Sequence, residues 1–191
     1  MIDKIAPGEE RGCLDMSISN LLTIIDDYIL DNLNTLTCVQ LANLYLEFID
    51  SLKVNNLNTN NLTGLTEIIL SRAFYCYNKI AIESGYIRIT SNISLAGRQP
   101  DLVVLINDQP VASIEVKSNY GNIQQDYDRH KQVLKQYPGI NFLTVAFEVK
   151  QRNNIKRITS LMEESTFYKV LVLNQSEEIF KNELQKYGLI F

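Results

Sequence analysis

Three charged side chains stand where strands should be driest. In the stretch RQPDLVVLINDQPVASIEVKSN, residues 98–119, Asp101 opens one apolar run, and Glu115 and Lys117 close a second. Charge taken out of water is costly unless it is paired or ligates a metal. Two carboxylates a few ångströms apart repel one another unless a cation lies between them, and all-oxygen ligation suits Mg²⁺ or Mn²⁺. A lysine on the same face can orient or deprotonate a water, or neutralise developing negative charge. Metal, water and lysine together are the components of phosphodiester hydrolysis.

The spacing predicts strands over 101–106 and 111–117, joined by Asn107-Asp108-Gln109-Pro110. Side chains alternate along a strand, so Glu115 and Lys117 share a face with Val111 and Ser113. This polar face is expected to open to solvent or a ligand. Ala112, Ile114 and Val116 form the other, apolar face, a seat for a long helix predicted over 63–84. Asp101 joins Glu115 and Lys117 only if the register allows it. An even loop with regular pairing turns Asp101 to the wrong side, whereas an odd loop, pairing it with Lys117, or a bulge brings the three together.

Helical spacing runs over 17–34, with Leu21, Leu22, Ile25 and Ile29 inward and Asp26, Asp27 and Asp31 outward. A second helix starts at the capping box Thr37/Gln40 and runs to about Leu52. Asn-rich residues 55–61 read as a loop. A boundary is placed there, giving an acidic helical appendage over 1–61 and a domain over 62–191. In the 63–84 helix Leu65, Ile68, Ile69, Ala73, Cys76 and Ile80 point inward, and Gly85 suits the C′ position. Residues 86–95 read as a strand. A helix over 122–137, a central strand over 141–149, a helix over 154–164, a strand over 168–173 and a helix over 176–186 with Ser176 as N-cap complete a mixed α/β sheet flanked by helices.

A chain of 191 residues with 46% hydrophobic and 21% charged residues has the composition of an ordinary folded protein, and no repeats are present. It has no apolar run of about 18 residues and no signal-like N-terminus, so a cytoplasmic protein with no membrane partner is expected. Cys13, Cys38 and Cys76 show neither disulfide nor zinc spacing and read as reduced helix fillers. The net charge of −4 is uneven: residues 1–61 hold nine acids against three bases, leaving 13 of the 22 acids and 15 of the 18 bases for the rest. Residues 129–157 carry seven bases and only Glu148 as acid. That cluster is a candidate phosphate contact, or a solvated basic face. Lone His130 falls on the inward side of its helix and reads as a core or boundary residue.

Pro100-Asp101 followed by Glu115-Val116-Lys117 resembles the PD-(D/E)xK signature of restriction-endonuclease-like nucleases. The hairpin is most similar to the N-terminal nuclease domain of type I restriction motor subunits, and the likeness covers 62 to about 150. The resemblance implies a restriction-endonuclease-like fold and a Mg²⁺- (or Mn²⁺-) dependent endonuclease hydrolysing DNA phosphodiester bonds. Asp101 and Glu115 would be metal ligands and Lys117 the catalytic lysine. Glu67, on the helix before the first strand, would be an accessory ligand, or else an acid favouring a helix N-terminus. Relatives carry Gln-x-x-x-Tyr on the helix after the lysine; here Gln124 and Tyr127 are three apart, and Gln124 is retained as an accessory residue. Restriction or defence is the expected setting, with recombination or repair as the alternative. DNA is the expected partner, and a homodimer through the helical hairpin is an option. The competing class is a non-cleaving DNA- or protein-binding subunit that keeps the fold. In the bland reading of the motif, Asp101 is a turn residue and Glu115 and Lys117 are the polar face of an edge strand.

Overall fold

The computed structural model describes residues 18–54, 63–121 and 123–189. The Asn-rich 55–61 stretch and Cys13 lie outside them. Helices α1 (Ile18–Asp31), α2 (Cys38–Val54) and α3 (Thr63–Glu83) come first. Strands β1 (Ile87–Thr90), β2 (Leu102–Ile106) and β3 (Gln109–Asn119) follow, and then α4 (Ile123–Gln136), β4 (Asn141–Glu148), α5 (Arg152–Glu164), β5 (Tyr168–Val172) and α6 (Phe180–Lys186). The five strands form one mixed α/β sheet in the order β1-β2-β3-β4-β5, antiparallel as far as β3 and parallel beyond it.

Alternation along the strands divides the core into two. Ala112, Ile114 and Val116 face an apolar cluster with Leu65, Ile69, Leu70, Ala73 and Phe74 of α3, as the period-two pattern predicts. Ile25 and Ile29 of α1 and Leu41 and Leu44 of α2 belong to the same cluster, and Tyr45 meets Phe147 of β4 edge-on at 5.4 Å. The other face carries Val103, Phe142 and Ala146 and is covered by Ile123, Tyr127 and Val133 of α4 and Ile158 and Leu161 of α5. The face of Glu115 is therefore not open along its length. Two amphipathic helices cover it, and its polar groups lie under them.

Several local expectations hold. Thr37 N–H donates to Gln40 Oε1 at 2.8 Å and Gln40 N–H to Thr37 Oγ1 at 3.2 Å, the reciprocal bonds of a capping box. Gly85 has φ +77°, the left-handed conformation that ends α3. Cys38 and Cys76 are buried free thiols.

Others need correction. Ile80 is 86% exposed rather than inward, because Asn78 leaves helical geometry (φ −116°, ψ 20°) and rotates the last turn of α3. Asp26 does not face outward; its carboxylate takes a bidentate bond from Arg72 on α3, with Nε at 2.6 Å. The strand expected over 86–95 stops at Thr90, and the chain turns back through Leu95 and Arg98, with Ala96 and Gly97 at positive φ. Ser176 accepts a bond from Glu178 N–H in a turn, and α6 starts only at Phe180. That turn has another use. Glu178 and Ser176 carbonyls accept from the Cys38 and Val39 N–H groups, and Phe180 N–H donates to Leu36 O, so residues 176–180 satisfy the first turn of α2.

Candidate active site

Whether the motif closes is decided in the β2–β3 hairpin. Asn107 (φ 49°) and Asp108 (φ 62°) form a two-residue turn with both residues left-handed, the type I′ pattern matched to strand twist. An even turn would by itself carry Asp101 to the wrong face. The ladder pairs Ile106 with Gln109 and Leu105 with Pro110, then resumes with Val104 opposite Ala112, leaving Val111 unpaired. Pro110 has no N–H to give to a ladder and sits where the ladder breaks. After this bulge Val103 faces Ser113 and Leu102 faces Ile114, so the next step sets Asp101 beside Glu115 rather than beside Lys117. There Asp101 Oδ2 accepts the Val116 N–H at 2.7 Å, which fixes the carboxylate between the two motif residues.

A cleft of about 250 Å³ opens at this end of β3, lined by Thr66, Glu67, Asp101, Val116, Lys117, Ser118 and Asn119. Glu67 reaches it from the first turns of α3, so the structure brings Glu67, Asp101 and Lys117 to one cleft. Burial first, and then repulsion from Asp101, push the Glu67 carboxyl above its usual range, while Lys117 pulls it down.

Glu115 lies behind this cleft and is buried, at 7% exposure. Its Oε2 accepts from Lys117 Nζ at 3.1 Å and lies 3.8 Å from Arg129 of α4. Burial raises the Glu115 carboxyl above its ordinary range, opposed by Lys117 and reinforced by Asp101. Asp126 of α4, at 3% exposure, completes the group: its Oδ1 is 3.4 Å from Arg129 and 3.9 Å from Lys117. Burial raises Asp126 as well, against the pull of Lys117 and Arg129.

Sequence reasoning missed Asp126 and Arg129. A signal existed: Asp126 falls on the helical stripe of Ile123, Tyr127, His130 and Val133, all of them buried. Gln124 is not brought to the site. It is two residues and roughly 200° from Asp126 around α4. Its amide donates to Asp128 at 3.1 Å and accepts from Arg157 at 2.7 Å on the surface. The basic run 129–157 does not form one free face, for Arg129 turns inward, and Lys131, Lys150 and Arg157 pair with Asp128, Glu148 and Glu164. His130 is fully buried among Tyr127, Phe142 and Tyr168, with Nε2 3.0 Å from Ser165 Oγ.

The donor set is hard oxygen throughout. Among the described residues no group of three His, Cys, Asp or Glu side chains is arranged to hold a metal ion. The acids that could hold a cation are Asp101 and Glu67, which line the cleft, and Glu115 behind it. Mg²⁺ characteristically takes one or two protein carboxylates and completes its shell with water and substrate phosphate. Among the described residues no helix is long and apolar enough to cross a membrane. Compared with known proteins, the chain matches no family model, no curated protein and no solved structure.

Proposed function

We propose that this chain is a metal-dependent endonuclease hydrolysing DNA phosphodiester bonds with Mg²⁺ or Mn²⁺, acting in restriction or defence, with recombination or repair as the alternative setting. The observation that carries the reading is the Val111 bulge, which turns Asp101 onto Glu115 and Lys117 despite an even turn. A bulge costs ladder hydrogen bonds, and such irregularities recur where a side chain must be re-aimed beside a site.

In this reading Asp101 and Glu115 hold the cation, and Glu67 assists from across the cleft. The bound cation supplies Lewis acidity to a phosphate oxygen and lowers the pKa of a coordinated water. Asp101 is kept in place by the Val116 N–H and lines the cleft. Lys117 lies at the junction of the wet cleft and the buried acids. Its ammonium is placed to stabilise negative charge developing on the phosphate or to orient the attacking water.

The test is cleavage of plasmid, linear, nicked, branched and single-stranded DNA in Mg²⁺ and in excess chelator, with Lys117→Ala alongside. We expect Mg²⁺-dependent cleavage that falls by about 10³-fold in the variant, the scale of losing one preorganised electrostatic group. Undiminished cleavage by the variant, or in chelator, overturns the mechanism. The second reading, a non-cleaving DNA- or protein-binding subunit, draws on Lys117 being turned toward two acids. Absence of cleavage on every substrate selects it.

A further inference from the structure

Four side chains from two elements form a closed ring of alternating charge. Lys117 Nζ is 3.1 Å from Glu115 Oε2 and 3.9 Å from Asp126 Oδ1, and Arg129 reaches the same two oxygens at 3.8 and 3.4 Å. Glu115 and Lys117 belong to the motif on β3. Asp126 and Arg129 belong to α4 and to no motif. An acid in the first turn of a helix gains from the helix dipole whether or not it is buried. Asp126 is instead almost wholly buried, a costly place for a carboxylate. Its second oxygen, Oδ2, makes no close hydrogen bond, Oδ1 is turned to the two cations, and the neighbouring Tyr120 hydroxyl also favours the charged carboxylate.

We propose that Asp126 is a positioning residue for Lys117, with Arg129 as the counter-charge that makes a second buried acid tolerable. The kinetic part of this inference rests on the nuclease reading; the geometric part does not. A lysine anchored by Glu115 alone loses its anchor whenever that carboxylate is engaged elsewhere, and metal ligation is the role assigned to it above. Asp126 holds the same ammonium from the helix side, so the orientation of Lys117 no longer depends on Glu115. Arg129 bridges the two acids and leaves the ring with two negative and two positive groups.

Amine acylation with mass-spectrometric readout tests this on the full chain, with Lys131 and Lys186 as internal references. Asp126→Asn should raise labelling at Lys117 several-fold, and Asp126→Glu should restore protection. Arg129→Gln leaves Lys117 as the one ring cation between two acids, so labelling there should fall or stay level. Unchanged Lys117 labelling in Asp126→Asn overturns the proposal. So does a rise in Arg129→Gln equal to that in Asp126→Asn, which would report general loosening. In cleavage assays Asp126→Asn should lower kcat by about tenfold or more with KM unchanged, the mark of a mis-set catalytic group. A raised KM with unchanged kcat overturns the proposal. If the wild-type chain cleaves no DNA, the nuclease reading fails and the labelling comparison still decides the role of Asp126.

Discussion

Lowering the pH should destabilise this protein through one side chain, His130. Its ring is fully buried against Tyr127, Phe142 and Tyr168, Nδ1 has no partner, and Lys131 is the next residue on α4. Burial first, and then the Lys131 charge, hold its pKa down from 6.5 to about 4. A base whose folded pKa is depressed stays neutral in the fold while the unfolded chain takes up a proton. Stability is therefore lost as pH falls from about 6.5 to about 4, and the whole loss is reached below that range. Two to three pKa units correspond to about 3 kcal/mol, a large share of the roughly 5–15 kcal/mol that holds a domain folded. Glu67, Glu115 and Asp126 act in the opposite sense: their raised carboxyls hold protons more tightly in the fold, so their contribution to stability rises as pH falls through their folded values.

The two effects separate by comparison. Urea unfolding of the wild type and of His130→Phe at a series of pH values from 8 to 4 shares the acid contributions and differs in the histidine. Phenylalanine suits the aromatic surroundings and loses the bond to Ser165 Oγ, an offset of about 1 kcal/mol at every pH. The stability difference between the two proteins should shift by about 3 kcal/mol between pH 7 and pH 4, in the variant's favour at the acid end. Parallel pH profiles would refute the reasoning, since they would mean that the native pocket accepts an imidazolium.

Asp101→Asn should separate function from stability. The amide oxygen still accepts the Val116 N–H, while the repulsion felt by Glu67 and Glu115 is removed, so thermal or urea unfolding should show a gain of up to about 1 kcal/mol at pH 7, and the proposed DNA cleavage should be lost. Mg²⁺ should stabilise the wild type in thermal melts, by about 2.7 kcal/mol at a concentration 100 times its Kd, and should leave Asp101→Asn and Glu115→Gln unmoved. An equal Mg²⁺ effect on all three would place the cation elsewhere.

The relation of Glu115 to Lys117 was legible because strand alternation is a local rule, and the seat of α3 on Ala112, Ile114 and Val116 followed from the same rule. Asp101 was conditional because its face depends on a bulge, and a bulge is a compromise between turn geometry and the packing of both strands. Pro110 was its one local trace. Gln124 and Asp126 both lie in the first turn of α4, and the apolar stripe distinguishes them: Asp126 shares it with Ile123, Tyr127, His130 and Val133, whereas Gln124 is on the surface with Asp128 and Arg157. Ile80 failed for a different reason: a periodic reading assumes an unbroken helix, and the departure at Asn78 shifts the phase of everything after it. The covered face of Glu115 was missed because two helices that bury their stripes need a surface, and the sheet side bearing the charges was the one left to them.

The bonds from Cys38 and Val39 to the 176–178 turn, and from Phe180 back to Leu36, also bear on the order in which the molecule assembles during synthesis. Two first-turn donors of α2, the Cys38 and Val39 N–H groups, lack these partners until residues near the opposite end of the described chain arrive, whereas Gln40 N–H is capped locally by Thr37. The helical hairpin and the β3–α4 region can each take shape early. The clasp between Leu36–Val39 and Ser176–Phe180 can close only once both segments have been made, so amide exchange at Cys38 and Val39 should report its closure.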